Sequence, residues 1–279
     1  MRVLSLGAGV QSSAMLLMAL EGRFGDVPDC AIFADTQWEP NAVYEWLDRL
    51  EREVAPFKIH RVTHGDIRED TVSGVLPGGR RFASMPFFLQ VPVMALVVDE
   101  DSDEEIGRED TGLRSRGMGR RQCSSEYKVK PIRKWLREQG CKSAEVWIGI
   151  STDEAHRMKP ADVKWVTHRW PLIDAGLNRE ACQKYLVERI GSPAPKSSCI
   201  GCPFHDDGYW ARLKAESPGE FADAVAFDRQ IRRSGRMNSD QFVHPSMIPL
   251  GDIKEFKHEN QSRMFIDAFG NECEGVCGN

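Results

Sequence analysis

The chain opens Arg2-Val3-Leu4-Ser5-Leu6-Gly7-Ala8-Gly9-Val10-Gln11-Ser12-Ser13, and this order of residue types leaves its first twenty residues little freedom. Residues 3–6 are apolar enough to form a buried strand. Two glycines break the run, and helix formers resume over residues 13–20. A strand, a glycine turn and a helix start make a preformed anion site. First-turn N–H groups point outward, the helix dipole favours negative charge, and missing Cβ atoms let phosphate come close. An α/β protein can also begin this way without binding phosphate. Neither common phosphate fingerprint is present: Ser12 stands where the dinucleotide motif needs its third glycine, and no lysine precedes Arg23 to make a Walker sequence.

The alternation continues. Residues 30–34 read as a second buried strand that ends in Asp35-Thr36-Gln37-Trp38-Glu39-Pro40. Glu39-Pro40 opens a helix, with proline tolerated in the first turn. Val43, Trp46, Leu47, Leu50 and Val54 give that helix one apolar face. Residues 58–62 form a third strand. This β-α-β-α-β order predicts a doubly wound, Rossmann-like parallel sheet. Ligands of such sheets sit beyond the carboxyl ends of strands, where residues 7–13 and Asp35-Thr36 both fall. Further on, the pattern predicts a helix over 129–139 and a strand over 145–150 that ends in Ser151-Thr152-Asp153-Glu154. An Asn178-capped helix comes next over 179–190, then helical segments over 209–216 and 220–233.

Residues 65–121 lack this regularity. Gly78-Gly79-Arg80-Arg81 and Met85-Pro86-Phe87-Phe88 read as a loop over a pocket, with a short helix over 93–98. Residues 99–110 carry eight carboxylates in twelve positions, so 99–112 is expected to be a flexible, solvated loop. The basic residues after it, Arg114, Arg116, Arg120 and Arg121, suit either phosphate contacts or a solvated loop.

With 279 residues and 41% hydrophobic content, the chain can build one large α/β unit, residues 1–192, and a helical, cysteine-bearing region, residues 193–279. A net charge of −5 argues against indiscriminate nucleic-acid binding but permits a local basic groove. No run approaches the length of a membrane span, and the first residues lack a signal-peptide layout, so no membrane and a cytoplasmic location are expected. In a reducing compartment, eight cysteines point to metal binding or redox chemistry more than to disulfides.

Cys30, Cys141 and Cys182 fall in or beside regular elements and read as packing residues. Cys123, Cys199, Cys202, Cys273 and Cys277 fall in loops. In Ser198-Cys199-Ile200-Gly201-Cys202-Pro203 two thiols share one turn whose N–H groups can face sulfur, which suits an iron–sulfur cluster or zinc. Cys123 lies among Arg120, Arg121 and Lys128, cations that lower a thiol pKa and offset thiolate charge. A tail cysteine would complete four ligands. The set Cys123, Cys199, Cys202 and Cys277 leaves Cys273 free to carry or relay sulfur. The opposite choice of tail cysteine, and a three-cysteine cluster, stay open.

These landmarks together resemble the phosphoadenylyl-sulfate reductase family of the pyrophosphatase-loop, adenine nucleotide α-hydrolase-like superfamily. Gly7-Ala8-Gly9-Val10-Gln11-Ser12 covers the superfamily's Ser-Gly-Gly-x-x-Ser loop with its first serine and first glycine replaced. Phe33-Ala34-Asp35-Thr36 is similar to the family's Asp-Thr-Gly segment, with Gln37 in the glycine position. Arg121-Gln122-Cys123-Ser124, with Lys128, Pro131 and Ile132, resembles Cys-Cys-x-x-x-Lys-x-x-Pro-Leu with one cysteine lost. Gly149-Ile150-Ser151-Thr152-Asp153-Glu154 and Arg157 resemble Gly-x-Arg-x-Asp-Glu-x-x-Arg, and Cys199 and Cys202 match the second ligand pair of the iron–sulfur reductases. Glu272-Cys273-Glu274-Gly275 echoes part of their Glu-Cys-Gly-Leu-His tail.

The resemblance implies ATP or a related adenine nucleotide, with magnesium as a candidate companion ion. Gly7, Ala8, Gly9, Gln11, Ser12 and Ser13 would lie at the phosphates, and Asp35 and Thr36 near the adenosine. It also implies a 4Fe–4S cluster, with zinc as the alternative, and catalytic roles for Cys273, Arg157 and Asp153. Arg157 is expected to grip phosphate or sulfate; the competing expectation pairs it with Asp153 or Glu154. Three activities are open: ATP-dependent adenylylation coupled to sulfur transfer onto a nucleotide or nucleic acid, adenylyl-sulfate reduction that releases sulfite, or nucleotide binding alone with structural zinc. The first two require a sulfur or electron donor as partner.

Overall fold

A computed structural model describes residues 1–81, 85–98, 105–232 and 239–256. Five parallel strands form the central sheet: β1 (Arg2–Leu6), β2 (Cys30–Asp35), β3 (Ile59–Thr63), β6 (Ala144–Ile148) and β7 (Val166–Arg169). Their order is β3-β2-β1-β6-β7. Alternate residues face opposite sides of the sheet. Leu4, Leu6, Ala31, Phe33 and Trp147 pack in one core with α1 (Val10–Leu20), α2 (Asn41–Glu53) and α6 (Arg179–Ile190). Val3, Cys30, Ile32, Val146 and Ile148 pack in another, with Ile132 and Leu136 of α4 (Lys130–Glu138). Helices therefore cover both faces, and the fold is the doubly wound α/β arrangement expected. Cys30 and Cys182 are buried in these two cores, and Cys141 packs at the edge of the second.

The chain runs outward from β1 to β3 and then returns to the other side of β1 as β6, so the order reverses between β1 and β6. The loops after these two strands flank the crevice where such sheets bind ligands. A third core lies apart from the sheet. It holds α3 (Ile67–Ser73), the π turn Ser125–Val129, α7 (Asp207–Glu216) and α8 (Pro218–Ile231), and Cys199 and Ile200 pack within it. The remaining short elements are α5 (Pro171–Asp174), a 3-10 turn Thr152–Arg157, β8 (Gln241–Phe242) and a second 3-10 turn Leu250–Asp252.

Two expectations for residues 65–121 are corrected. Residues 93–98, expected to be helical, belong to strand β4 (Phe88–Val98). Residues 105–112 of the expected acidic loop belong to β5 (Glu105–Met118), antiparallel to β4. Val91, Val93 and Val97 have the branching that favours a strand, and this outweighed the run's ambiguous period. Pro92 is tolerated because the pairing along that edge of β4 runs, among the described residues, only through Phe88 and Leu89 to the Gln90 N–H, which donates to the Asp240 carbonyl at 3.1 Å. The acidic character misled because Met94, Ala95, Leu96 and residues 108–116 are exposed, so this hairpin needs no buried, alternating pattern. Strand β7 was not anticipated; it is four residues long and only Val166 is buried.

Candidate functional site

Strand β1 ends at Leu6, and Ala8 then adopts a left-handed conformation at φ +58. That turn aims the chain into α1, whose N-cap is Gly9. Gln37, just past the end of β2, is also left-handed, at φ +61. Non-glycine residues adopt this conformation at a cost of about 1–2 kcal/mol. Both stand where the resembled motifs have glycine, so the two turns keep a glycine's backbone while carrying a side chain.

The polar side chains of the first turn of α1 are fully buried and serve the loop itself. The Gly7 N–H donates to Ser12 Oγ at 3.2 Å, and Trp46 Nε1 donates to Ser13 Oγ at 3.0 Å. The helix has no side-chain cap and no acidic residue in its first turn. Its first N–H groups are therefore the donors an anion would meet.

Gln11 ties this loop to the one after β6. Its Nε2 donates to Glu154 Oε2 at 3.0 Å and Ser151 Oγ at 3.3 Å, while its Oε1 accepts from Arg179 Nη1 at 3.0 Å. Arg157 forms a half-buried ion pair with Glu154 at 2.7 Å, the competing arrangement for that residue. Asp153 accepts from the Arg179 N–H at 3.0 Å. Burial pushes the Asp153 carboxyl up, but hydrogen bonds from Ser151 and backbone N–H groups outweigh it and hold the pKa below the ordinary value. Asp153 and Arg157 thus lie at the crevice with Gln11, and Arg179, which the sequence did not single out, joins them.

A second pocket adjoins this crevice. Cys123, Cys199 and Cys202 line it together with Thr36, Arg121 and Lys128. Three links hold the cysteine turn against the sheet ends. The Ser197 hydroxyl donates to the Gly7 carbonyl, the Ile200 N–H donates to the Trp38 carbonyl at 2.9 Å, and the Cys199 thiol donates to Thr36 Oγ1 at 3.3 Å. Asp35 is committed locally: its Oδ1 accepts from the Gln37 N–H and the Tyr44 hydroxyl, each at 2.8 Å.

Beneath the pocket, Glu39 and Lys128 approach to 3.8 Å with both side chains buried, and Cys199 Sγ lies 3.9 Å from Glu39 Oε1. Burial pushes the Cys199 thiol well above its ordinary pKa. Glu39 adds to that, while Lys128 and the Thr36 hydrogen bond oppose it. A metal would have to supply the charge that stabilises this thiolate. Sequence reasoning took Glu39 for a helix start and did not weigh Ser197 or His205. Their partners are about ninety or more residues away or across a turn, and no spacing signals that.

Three thiols on one pocket, with Arg121 and Lys128 beside them, fit three of the four ligands of an iron–sulfur cluster. Among the described residues no three His, Cys, Asp or Glu side chains close on one ion-sized point. Cys273 and Cys277 lie outside the described residues, as does the segment at 233–238. No described helix is long and apolar enough to cross a membrane. No protein-family model matches the chain, and no curated protein matches it by sequence.

Proposed function

We propose that this chain is a pyrophosphatase-loop enzyme that uses an adenine nucleotide beside an iron–sulfur cluster, activating an acceptor by adenylylation for sulfur transfer to a nucleotide or nucleic acid. The observation that carries the reading is the junction of the two pockets. Cysteines from two distant stretches share a wall with Thr36, and Ser197 bonds the cysteine turn to the glycine loop. The left-handed Ala8 and Gln37 support the nucleotide half. The first-turn N–H groups would hold phosphate, and Asp35 and Thr36 would border the adenosine. Adenylylation makes a good leaving group, and backbone donors stabilise the charge that develops. The cluster would be held by Cys123, Cys199, Cys202 and a tail cysteine, and would supply the site at which sulfur is held or electrons enter.

Anaerobic purification followed by iron and sulfide analysis tests the cluster, and pyrophosphate release from ATP tests the nucleotide half. Zinc without iron would leave a nucleotide-binding protein. Sulfite release from adenylyl sulfate without ATP turnover would replace sulfur transfer by reduction. Ser12→Ala combined with Gly9→Val should abolish ATP binding in a folded protein; unchanged affinity would remove the nucleotide assignment.

A further inference from the structure

The stretch that follows the acidic run is basic. Residues 111–125 carry four arginines and no carboxylate, in a chain of net charge −5. The fold sets these arginines on a line that ends at the cysteines. Across the β4–β5 pair, Arg114 faces Pro92, Arg116 faces Gln90 and Met118 faces Phe88. Strand side chains alternate between faces, so Arg114 and Arg116 share one face, about 7 Å apart along the strand. Arg116 lies over the Phe88 ring, with Cζ 5.9 Å from its centre. The Gly119 N–H donates to the Phe87 carbonyl at 2.8 Å, which brings the end of β5 beside Pro86 at the cysteine pocket. Arg120 is exposed there, and Arg121 lines the pocket with Cζ 5.0 Å from the centre of the Phe204 ring.

Charge bounds this line at both ends. Among the described residues that line the pocket, Arg121 and Lys128 are cationic and none is a carboxylate. Outward, Arg114 meets Asp110 at 2.8 Å, and the acidic run of residues 99–110 begins there. An ordinary solvated strand mixes its charges, as β5 does farther out with Arg108, Glu109 and Asp110. Between Arg114 and the pocket the sign is positive throughout. A polyanion is drawn to that stretch and repelled beyond it. A single nucleotide fills only a pocket, whereas a chain of nucleotides has further phosphates to lay along the arginines.

We propose that the acceptor is a single-stranded nucleic acid, RNA or DNA, whose backbone runs outward from the cysteine pocket over Arg121, Arg120, Arg116 and Arg114. This deepens the function proposed above and rests on it. A base that reacts inside a pocket must be unpaired. Guanidinium groups grip phosphate oxygens bidentately, and Arg121 on Phe204 gives a base a surface to stack on. The arginines hold and position the strand and take no part in making or breaking bonds.

Fluorescence anisotropy tests this with labelled single strands of about 12 nucleotides, RNA and DNA in separate arms, titrated with the full chain in rising salt. Each phosphate held contributes about −0.7 to the slope of log affinity against log salt. Arg116→Gln combined with Arg120→Gln should flatten the slope by about 1.4 and weaken binding, with the melting temperature, iron content and ATP affinity of wild type. Arg116→Lys combined with Arg120→Lys should keep the slope, because it keeps the charge. Binding of either strand type with this behaviour supports the proposal, and the tighter one names the acceptor's sugar. An unchanged slope in the glutamine variant would overturn it. So would a wild type that binds neither strand at about 50 mM salt, or one that prefers a duplex of the same sequence. Failure to bind strands in a protein that holds iron and releases pyrophosphate defeats this proposal alone. Strand binding by a protein that does neither would defeat the function proposed above, and the strand's role as acceptor with it.

Discussion

At the scale of single residues, the cysteine turn depends on Gly201. A Cβ there would lie 2.3 Å from Trp38 Cη2 and 2.8 Å from Cζ3. Trp38 cannot retreat, since its ring packs on Phe227 at 4.4 Å and its Nε1 donates to Asp223 at 2.7 Å. Gly201→Ala should cost about 1–3 kcal/mol by overpacking, read from urea denaturation, and should move Cys199 and Cys202 apart from Cys123, which the proposed cluster would register as lower iron content. Gln37 gives the opposite sign. It is exposed at φ +61, so nothing buried is lost on replacement. Gln37→Gly should relieve about 1–2 kcal/mol of left-handed strain and return about 0.5–1 kcal/mol through the freer unfolded chain. A small net rise in the urea midpoint is expected.

Among elements, α8 anchors the downstream residues 243–250 through one carboxylate. Asp228 is buried; its Oδ1 accepts from the Val243 N–H and its Oδ2 from the Leu250 N–H, each at 3.0 Å, and Arg232 completes an ion pair. Asp228→Ala leaves two N–H groups unpaired and removes the ion pair of the half-buried Arg232, whose Nη1 keeps only the Gln241 carbonyl, and should cost about 3–5 kcal/mol, measured as the loss in unfolding free energy. The elements that could be read from sequence were those with one strong local signal. Helix α6 runs from Asn178, whose side chain accepts from the Ala181 N–H at 2.8 Å, to a left-handed Gly191. Strand β2 is five apolar residues and an aspartate. The β4–β5 hairpin was illegible because its outer part buries almost nothing, so no burial period is written into it. The candidate site was legible in part: spacing exposed Cys199 and Cys202, and the glycine turn exposed residues 7–13. The junction between them rests on Ser197 and Thr36, whose meeting is a property of the folded sheet alone.

For the whole molecule, acid should act in two stages. Burial is the main cause that lowers the folded-state pKa of His64, His168 and His244 from 6.5. Below that value the unfolded chain binds protons that the folded form refuses, so stability falls as pH drops from about 6.5. The slope is at most about 1.4 kcal/mol per pH unit for each histidine. Asp153 and Asp206 have folded-state values below 3.8, despite burial, through hydrogen bonds and, for Asp206, the Lys196 charge. Their contribution is present above pH 3.8 and is lost as pH falls through the lower folded values. Urea midpoints at pH 7.5, 5.5 and 3 should decline at each step, and His244→Gln should flatten the first.

The position of β1 in the sheet also bears on how the protein is made. Arg2 pairs with Glu145, so one edge of the central strand has no neighbour until more than half the chain has left the ribosome. Beyond β2, about 110 further residues must be synthesised first, a wait on the order of ten seconds at ordinary elongation rates. During that interval β1 and α1, whose side chains are largely buried in the finished fold, form a sticky nascent unit with one open edge. Only after β6 docks can the chain around Ser197 find Gly7, so the junction between the glycine loop and the cysteine turn must be among the last parts of the fold to form.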